Sequence, residues 1–224
     1  MKDKVLLTYA AMNILFLVSG VLLLIFALTT KSNIGSTPNL NTIARNLVLG
    51  ETPGTATIAN AGVVFFTFLI SIPAMVLPMT RGWLKIHGYM IVFCAGFTLV
   101  LGLIVWFETL TSRARLGNIW NALSDSTQSL VQQELHCCGY LNSTSPQFVT
   151  DAQCPTDLSA ASQVGCVGPF STYANNFLDL VFTGAFGIVG LDVALLLATT
   201  MLSKARREKE RYRVIDQKNG VGAI

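Results

Sequence analysis

Charge is missing from four long stretches of this sequence, in which 52% of all residues are hydrophobic and 12% are charged. The stretches hold a single acid, Asp192, and they lie between Lys4 and Lys31, between Glu51 and Arg81, between Lys85 and Glu108, and from Leu180 to Leu202. Each has about 22 residues or more, enough at 1.5 Å per residue to cross a hydrocarbon core of about 30 Å. Because buried helices of soluble proteins are usually shorter, the pattern predicts an all-α integral membrane protein with four transmembrane helices.

Motifs of catalysis are also missing. The sequence has no H-E-x-x-H metal motif, no phosphate-binding loop and no paired nucleophile and base. Its two histidines, His87 and His136, fall on opposite sides of the predicted membrane, and the place of His136 beside cysteines favours a structural role. We therefore predict a protein that is not an enzyme, holds no metal and binds no nucleic acid.

The four apolar stretches divide the chain into spans and connecting segments. The predicted spans are 5–28, 58–79, 86–110 and 180–202. Outside them lie an N-terminus (1–4), a small loop (29–57), a turn (80–85), a large loop (111–179) and a basic tail (203–224). The first span is longer than the apolar region of a cleavable signal peptide, so we interpret it as a retained signal anchor.

Positive charge is divided unequally between the two sides of these spans. The side with both termini and the 80–85 turn carries eleven Lys or Arg, and the other side carries Lys31, Arg45, Arg113 and Arg115. Loops on the cytoplasmic side of a membrane carry an excess of Lys and Arg. The asymmetry therefore predicts cytoplasmic termini and two extracytoplasmic loops.

The large loop contains four of the five cysteines, namely Cys137, Cys138, Cys154 and Cys166. A domain of roughly 70 residues is marginally stable without cross-links, and an even number of cysteines in an oxidising compartment predicts two disulfides. Adjacent cysteines bond to each other only through a strained ring, so Cys137 and Cys138 are each expected to pair with one of the other two. A zinc site is the alternative, which the oxidising compartment disfavours.

The large loop also carries signs of helices and of a glycan. Ser124, Asp125 and Ser126 are expected to cap the start of a helix that runs into the cysteine pair, and Pro169 predicts the start of another that continues into span four. Asn142-Ser143-Thr144 is the only N-x-S/T sequon of the chain. Because the large loop is predicted to face the lumen, we expect a glycan on Asn142.

Four spans, a short first loop, a larger second loop and the segment Leu135-His136-Cys137-Cys138-Gly139 together resemble the tetraspanin family. Gly165-Cys166 is similar to the pair that closes the large loop of that family, although the P-x-S-C often found around an inner cysteine is absent here. The resemblance covers essentially the whole chain. It implies a small helical, disulfide-stapled large extracellular loop between helices 3 and 4, with disulfides Cys137–Cys166 and Cys138–Cys154.

Several segments resemble, more narrowly, the filamentous-fungal tetraspanins associated with appressorium-mediated host penetration. They are Arg81-Gly82-Trp83-Leu84-Lys85, Ile119-Trp120-Asn121, Cys137 through Asp151, and Lys209-Glu210-Arg211 with Ile215-Asp216. The resemblance implies a non-enzymatic organiser that binds membrane proteins laterally through its large loop and spans, with the NADPH oxidase complex as a partner. It places the protein in the plasma membrane and in endosomal or vacuolar membranes.

Three polar residues lie in or at the ends of the spans: Asn13, Glu108 and Asp192. Helical rise places Asn13 at about 12 Å and Asp192 at about 15 Å from the cytoplasmic side, so both are expected at one level inside the bundle. Glu108 is expected near the outer surface. The resemblance makes Asn13 and Asp192 candidates for contact with an enclosed sterol or lipid, and hydrogen bonds between helices are the alternative.

The tail from Lys204 to Arg213 is strongly basic and is predicted to lie on anionic lipid. Tyr212 and Ile215 have the spacing of a tyrosine-based sorting signal, and a continuing helix is the alternative. A second class of function is a small four-helix channel or transporter, or a sterol-handling protein. A single acid in the middle of the membrane gives little support to an ion path.

Overall fold

The computed structural model describes residues 2–34, 43–50, 54–77, 81–218 and 220, and these ranges form seven α-helices. The helices are α1 (Lys2–Ile34), α2 (Ile43–Gly50), α3 (Gly54–Val76), α4 (Arg81–Ala122), α5 (Asp125–Leu135), α6 (Asp157–Ala161) and α7 (Val167–Lys218). Within those ranges there is no β-strand, and residues 142–147 form only two isolated β-bridges.

Four of the helices are long and apolar enough to cross a membrane, over Lys4–Ser32, Gly54–Val76, Gly82–Thr111 and Val167–Gln217. The predicted all-α class with four membrane-length helices is thereby confirmed. A spanning segment is helical because its backbone groups find no water in hydrocarbon and must bond to one another. Residues 35–42 and 51–53 of the predicted small loop, and residues 78–80, lie outside the described residues.

The chain forms two compact units. The first, here called the membrane unit, comprises residues 1–25, 55–100 and 185–224, and the second, here called the disulfide unit, comprises residues 26–54 and 101–184. The core of the membrane unit is built from α1, α3, α4 and α7 and contains Tyr9, Phe16, Val64, Ala74, Leu84, Ile91, Cys94, Leu195, Ala198 and Leu202. Other large apolar side chains of these helices, such as Leu69, Phe93 and Leu197, point outward and are exposed, as expected of a surface that faces lipid.

The core of the disulfide unit joins four helices around Trp120, which is fully buried. It contains Ile43 and Val48 from α2, Val131 from α5 and Phe170 from α7. Helix α2 packs against α5, so part of the predicted small loop is a helix that belongs to the same core as the predicted large loop.

The two helices predicted inside the large loop are present. Helix α5 begins directly after Ser124 and ends directly before His136, and α7 begins at Val167 and continues into the fourth candidate span. The capping expectation for Ser124 is wrong in one respect: its hydroxyl bonds to the hydroxyls of Ser126 and Thr127 and makes no side-chain cap to the backbone.

Candidate functional site

Two disulfides clamp the segment between α5 and α7. Cys137 bonds to Cys166 and Cys138 bonds to Cys154, with sequence separations of 29 and 16. This is the pairing that the resemblance implies. All four cysteines are buried, Cys137 and Cys166 in the main core of the disulfide unit and Cys138 and Cys154 in a small cluster with Ala160. We call residues 137–166 the clamped segment.

Cys137 and Cys138 are adjacent but bond to different partners, and the backbone conformations of His136 before them and Gly139 after them make this possible. His136 adopts a left-handed conformation with φ 51° and ends α5, which turns the chain away from the helix axis. Gly139 has φ +70° and lies so close to the Asn142 carbonyl oxygen that a Cβ atom would collide with it. The Cys-Cys-Gly sequence therefore meets a backbone requirement as well as a cross-linking one.

The Gly165-Cys166 pair lies against the start of the clamped segment. Cys138 N donates to the Val164 carbonyl at 3.0 Å, and Cys166 N donates to the Gly139 carbonyl at 2.9 Å. A Cβ atom on Gly165 would collide with the carbonyl oxygen of Leu141. Only glycine permits this approach without moving the backbone. The two hydrogen bonds fix both ends of the clamped segment in addition to the disulfides.

Gln132 of α5, which the sequence analysis did not single out, organises the middle of the clamped segment. Its fully buried Nε2 donates to the Val149 carbonyl at 2.8 Å and to Asp151 Oδ2 at 2.9 Å. Its Oε1 accepts from Gly139 N at 3.3 Å and from Val149 N at 3.2 Å. Since a buried polar group is costly unless it is bonded, this amide fixes one path for residues 139–151.

Tyr140 attaches the start of the clamped segment to α4. Its ring packs against Trp120 with centroids 5.7 Å apart, and its hydroxyl donates to the Arg113 carbonyl at 2.9 Å. Burial raises the pKa of Tyr140 above its ordinary value of 10.0, and the positive charge of Arg113 acts in the opposite direction. The hydroxyl therefore remains a neutral donor over the physiological pH range.

Asn142 is exposed, and its side chain is ordered by its own sequon. The Asn142 Oδ1 atom accepts from Thr144 N and from Thr144 Oγ1, both at 2.9 Å. The structure thus places the predicted acceptor on an accessible turn of the clamped segment. Its glycosylation stays a prediction.

Asn13 and Asp192 are both fully or almost fully buried in the membrane unit. Asn13 Nδ2 donates to the Tyr9 carbonyl at 2.8 Å, whereas Asn13 Oδ1 and both carboxylate oxygens of Asp192 find no partner among the described residues. Glu108 belongs to the disulfide unit, where its Oε2 pairs with Arg115 Nη1 at 2.6 Å. The contact of Asn13 and Asp192 with a sterol or lipid stays a prediction.

Other polar side chains join helices inside the membrane unit, and sequence reasoning did not identify them. Tyr9 Oη bonds to His87 Nδ1 at 2.9 Å, which links α1 to α4. Asn60 Nδ2 donates to Thr98 Oγ1 at 2.8 Å, which links α3 to α4. The sequence does carry one sign of these contacts. Single amides and hydroxyls interrupt the apolar runs, and in membranes such residues usually mark contacts between helices.

The predicted tail features lie on the last part of α7. Tyr212 and Ile215 are exposed and helical, which agrees with the alternative of a continuing helix. The helix extends through the basic residues to Lys218. Cys94 is a buried free cysteine whose Sγ lies 3.3 Å from Thr67 Oγ1. Within the described ranges, no group of three or more His, Cys, Asp or Glu side chains is placed to hold a metal ion.

These features define a class of protein, an all-helical chain with four membrane-length apolar helices and a doubly disulfide-bonded segment between the third and the fourth. Comparison of the chain with protein-family models, with curated proteins and with solved structures gave no match.

Proposed function

We propose that the protein is a non-enzymatic membrane organiser of the tetraspanin type, which binds other membrane proteins laterally and scaffolds or traffics them in microdomains. The observation that carries the proposal is the clamped segment, in which Cys137, Cys138, Gly139, Gly165 and Cys166 all serve one backbone arrangement. The narrower resemblance of the sequence favours a role in fungal polarised growth or host penetration.

In this proposal both termini are cytoplasmic, and residues 111–179 form the large extracellular loop of a protein of the plasma membrane and of endosomal or vacuolar membranes. The division of Lys and Arg along the sequence supports that orientation. Partners bind the large loop and the lipid-facing sides of the spans, and the NADPH oxidase complex is the partner that the resemblance implies. The basic end of α7 contacts anionic lipid.

Affinity purification of the tagged full chain in a mild and in a harsh detergent tests the proposal. We expect a membrane protein in near-stoichiometric amount in the mild detergent and its loss in the harsh one, because lateral contacts in membranes rest on close packing that detergent displaces. Mass spectrometry of both eluates measures the outcome. Recovery of the chain alone in both detergents would contradict the proposal and favour a channel, a transporter or a sterol-handling protein.

The Asn142→Gln variant tests the proposed extracellular position of the clamped segment. We expect the wild-type protein to lose apparent mass on glycosidase treatment and the variant to migrate like the treated wild type, because only Asn142 lies in a sequon. Electrophoresis before and after digestion measures the shift. Asn121→Gln, at an exposed asparagine outside any sequon, is the control and should keep the glycan. A wild-type protein without any shift would show the expectation to be wrong.

A further inference from the structure

Arg206 is a half-buried cation of the membrane unit, on α7 just beyond the predicted span 180–202. Its Nη2 donates to the Met75 carbonyl at 3.4 Å, which is long for a hydrogen bond. Its buried Nη1 has no acceptor among the described residues, and no carboxylate of a described side chain pairs with the guanidinium. Because a partly buried charge is costly unless it is paired, this side chain calls for an anion.

A second donor without an acceptor belongs to the same group of side chains. The charge of Arg206 acts on the Tyr9 hydroxyl, and Tyr9 Oη bonds to His87 Nδ1 at 2.9 Å. The positive charge attracts the lone pairs of the Tyr9 oxygen, so the hydroxyl hydrogen points to Nδ1 and the imidazole hydrogen is on Nε2. His87 is fully buried, and its Nε2 has no partner among the described residues. Two donors near Tyr9 are therefore unsatisfied.

The directions of the helices bring these side chains together at one end of the membrane unit. Tyr9 and His87 lie near the starts of α1 and α4, whereas Arg206 lies near the end of α7. Side chains lean toward the N-terminus of their helix, so Tyr9 and His87 lean outward to this end and Arg206 leans back toward them. Met75 is the last residue but one of α3. All four membrane-length helices thus contribute to this group, here called the four-helix junction.

The residues of the chain at this end supply few anions. Residues 1–4, 80–85 and 203–224 hold eleven Lys or Arg and only four acids, which are Asp3, Glu208, Glu210 and Asp216. The last three of these acids are exposed on α7. A phosphate offers several charged oxygens and binds a guanidinium through two parallel hydrogen bonds. At the ends of membrane spans such phosphates belong to lipid headgroups, which basic pockets between helices bind.

We propose that the four-helix junction binds the phosphate of an anionic phospholipid headgroup, with the guanidinium of Arg206 as its main ligand and the Tyr9–His87 pair beside it. The proposal rests on the proposed function, because it takes from it the cytoplasmic orientation of this end and the contact of α7 with anionic lipid. It differs from a diffuse attraction of the basic tail, which depends on the number of charges alone. In the four-helix junction one lipid binds at one arginine.

Native mass spectrometry of the full chain in dodecyl maltoside, titrated with dioleoyl phosphatidate, tests the proposal. We expect one phosphatidate per chain to bind more tightly than any further ones, and Arg206→Gln to weaken its binding about tenfold through loss of charge-assisted hydrogen bonds. Arg207→Gln is the matched control, because Arg207 is the next residue, is exposed and carries the same charge. It should change the affinity by less than about twofold, as expected of an exposed charge. Arg206→Lys, which keeps the charge without the planar fork, should give an intermediate affinity.

Two further probes identify the source of the phosphate. Inorganic phosphate should displace bound phosphatidate only weakly because it has no acyl chains, and phosphatidylcholine should bind more weakly because its choline group compensates the negative charge. Thermal unfolding in the same detergent verifies the fold of each variant without lipid. Added phosphatidate should raise the melting temperature of the wild type and of Arg207→Gln, because a ligand that binds the folded state stabilises it, and should raise that of Arg206→Gln much less.

Several outcomes overturn the proposal. They are equal weakening by Arg206→Gln and Arg207→Gln, which would show a diffuse attraction, and an affinity that Arg206→Gln does not change. Binding of inorganic phosphate or of phosphatidylcholine as tight as that of phosphatidate would also overturn it. Each of these results leaves the organiser function intact if a membrane protein still copurifies in mild detergent. Tight phosphatidate binding by a chain that copurifies with no membrane protein would instead count against the organiser function alone.

Discussion

Replacing Cys166 by alanine is expected to destabilise the clamped segment strongly. The Cys137–Cys166 disulfide closes a loop with a sequence separation of 29, and a closure of that size stabilises the folded state by about 3 to 4 kcal/mol on the chain-entropy account. The lost bond also leaves the buried Cys137 thiol without its partner in the main core of the disulfide unit. We expect the equilibrium constant of unfolding of this segment to rise by about two to three orders of magnitude.

Limited proteolysis of the full chain measures that effect. The Cys166→Ala variant should be cut rapidly within residues 137–166, whereas the wild type should resist. Cys94→Ala is the control, because Cys94 is the free cysteine and belongs to the membrane unit, so both disulfides remain. Equal resistance of wild type and Cys166→Ala would show that the backbone hydrogen bonds and the remaining Cys138–Cys154 disulfide are sufficient to hold the segment.

Gly165→Ala is expected to be nearly as damaging as loss of the disulfide, although it adds only one methyl group. The added Cβ would collide with the Leu141 carbonyl oxygen and lie 2.8 Å from the Tyr140 carbonyl oxygen. Both obstacles are backbone atoms, so no change of rotamer relieves the contact. We expect a loss of about 2 to 3 kcal/mol in the free energy of unfolding, since displacement of the chain also weakens the hydrogen bond from Cys166 N to the Gly139 carbonyl.

Gly168→Ala provides the matched comparison for Gly165→Ala. Gly168 lies three residues further on, in the first turn of α7, and nothing lies within 4 Å of a Cβ atom built there. Alanine favours a helix over glycine by up to about 1 kcal/mol, so this variant should be as stable as the wild type or slightly more stable. The same proteolysis assay compares the two. A Gly165→Ala protein that resists cleavage as Gly168→Ala does would refute the steric account.

The sequence was sufficient to predict the four long helices because crossing a membrane imposes a length and excludes charge, as between Lys4 and Lys31. Helix α2 shows the opposite case. It has only eight residues, Ile43–Gly50, and it is stabilised by packing against α5, which is remote in sequence. No local pattern as short as two helical turns specifies such a partner.

The same limit applies to individual polar residues. Asn13 and Asp192 are both buried in the membrane unit, and the cost of a polar or charged side chain in hydrocarbon is a reason to expect such positions to face inward. The sequence could not predict that Tyr9 bonds to His87, because that contact depends on the rotation of each helix about its axis. Gln132 was missed for a related reason: glutamine is usually a surface residue, and its partner Val149 is supplied by the fold.

Both ends of the stretch 155–163 are fastened to one residue, Cys138. Its sulfur bonds to Cys154 and its backbone N–H donates to the Val164 carbonyl, so the stretch forms a closed ring. The two bonds that close the ring do not involve the residues within it. Lengthening such a ring costs little, about 0.6 kcal/mol for each doubling of its length. Because exposed Asp157 and Leu158 lie in this ring, insertions and substitutions there can change the exposed surface while the disulfide and hydrogen bond that support it stay the same.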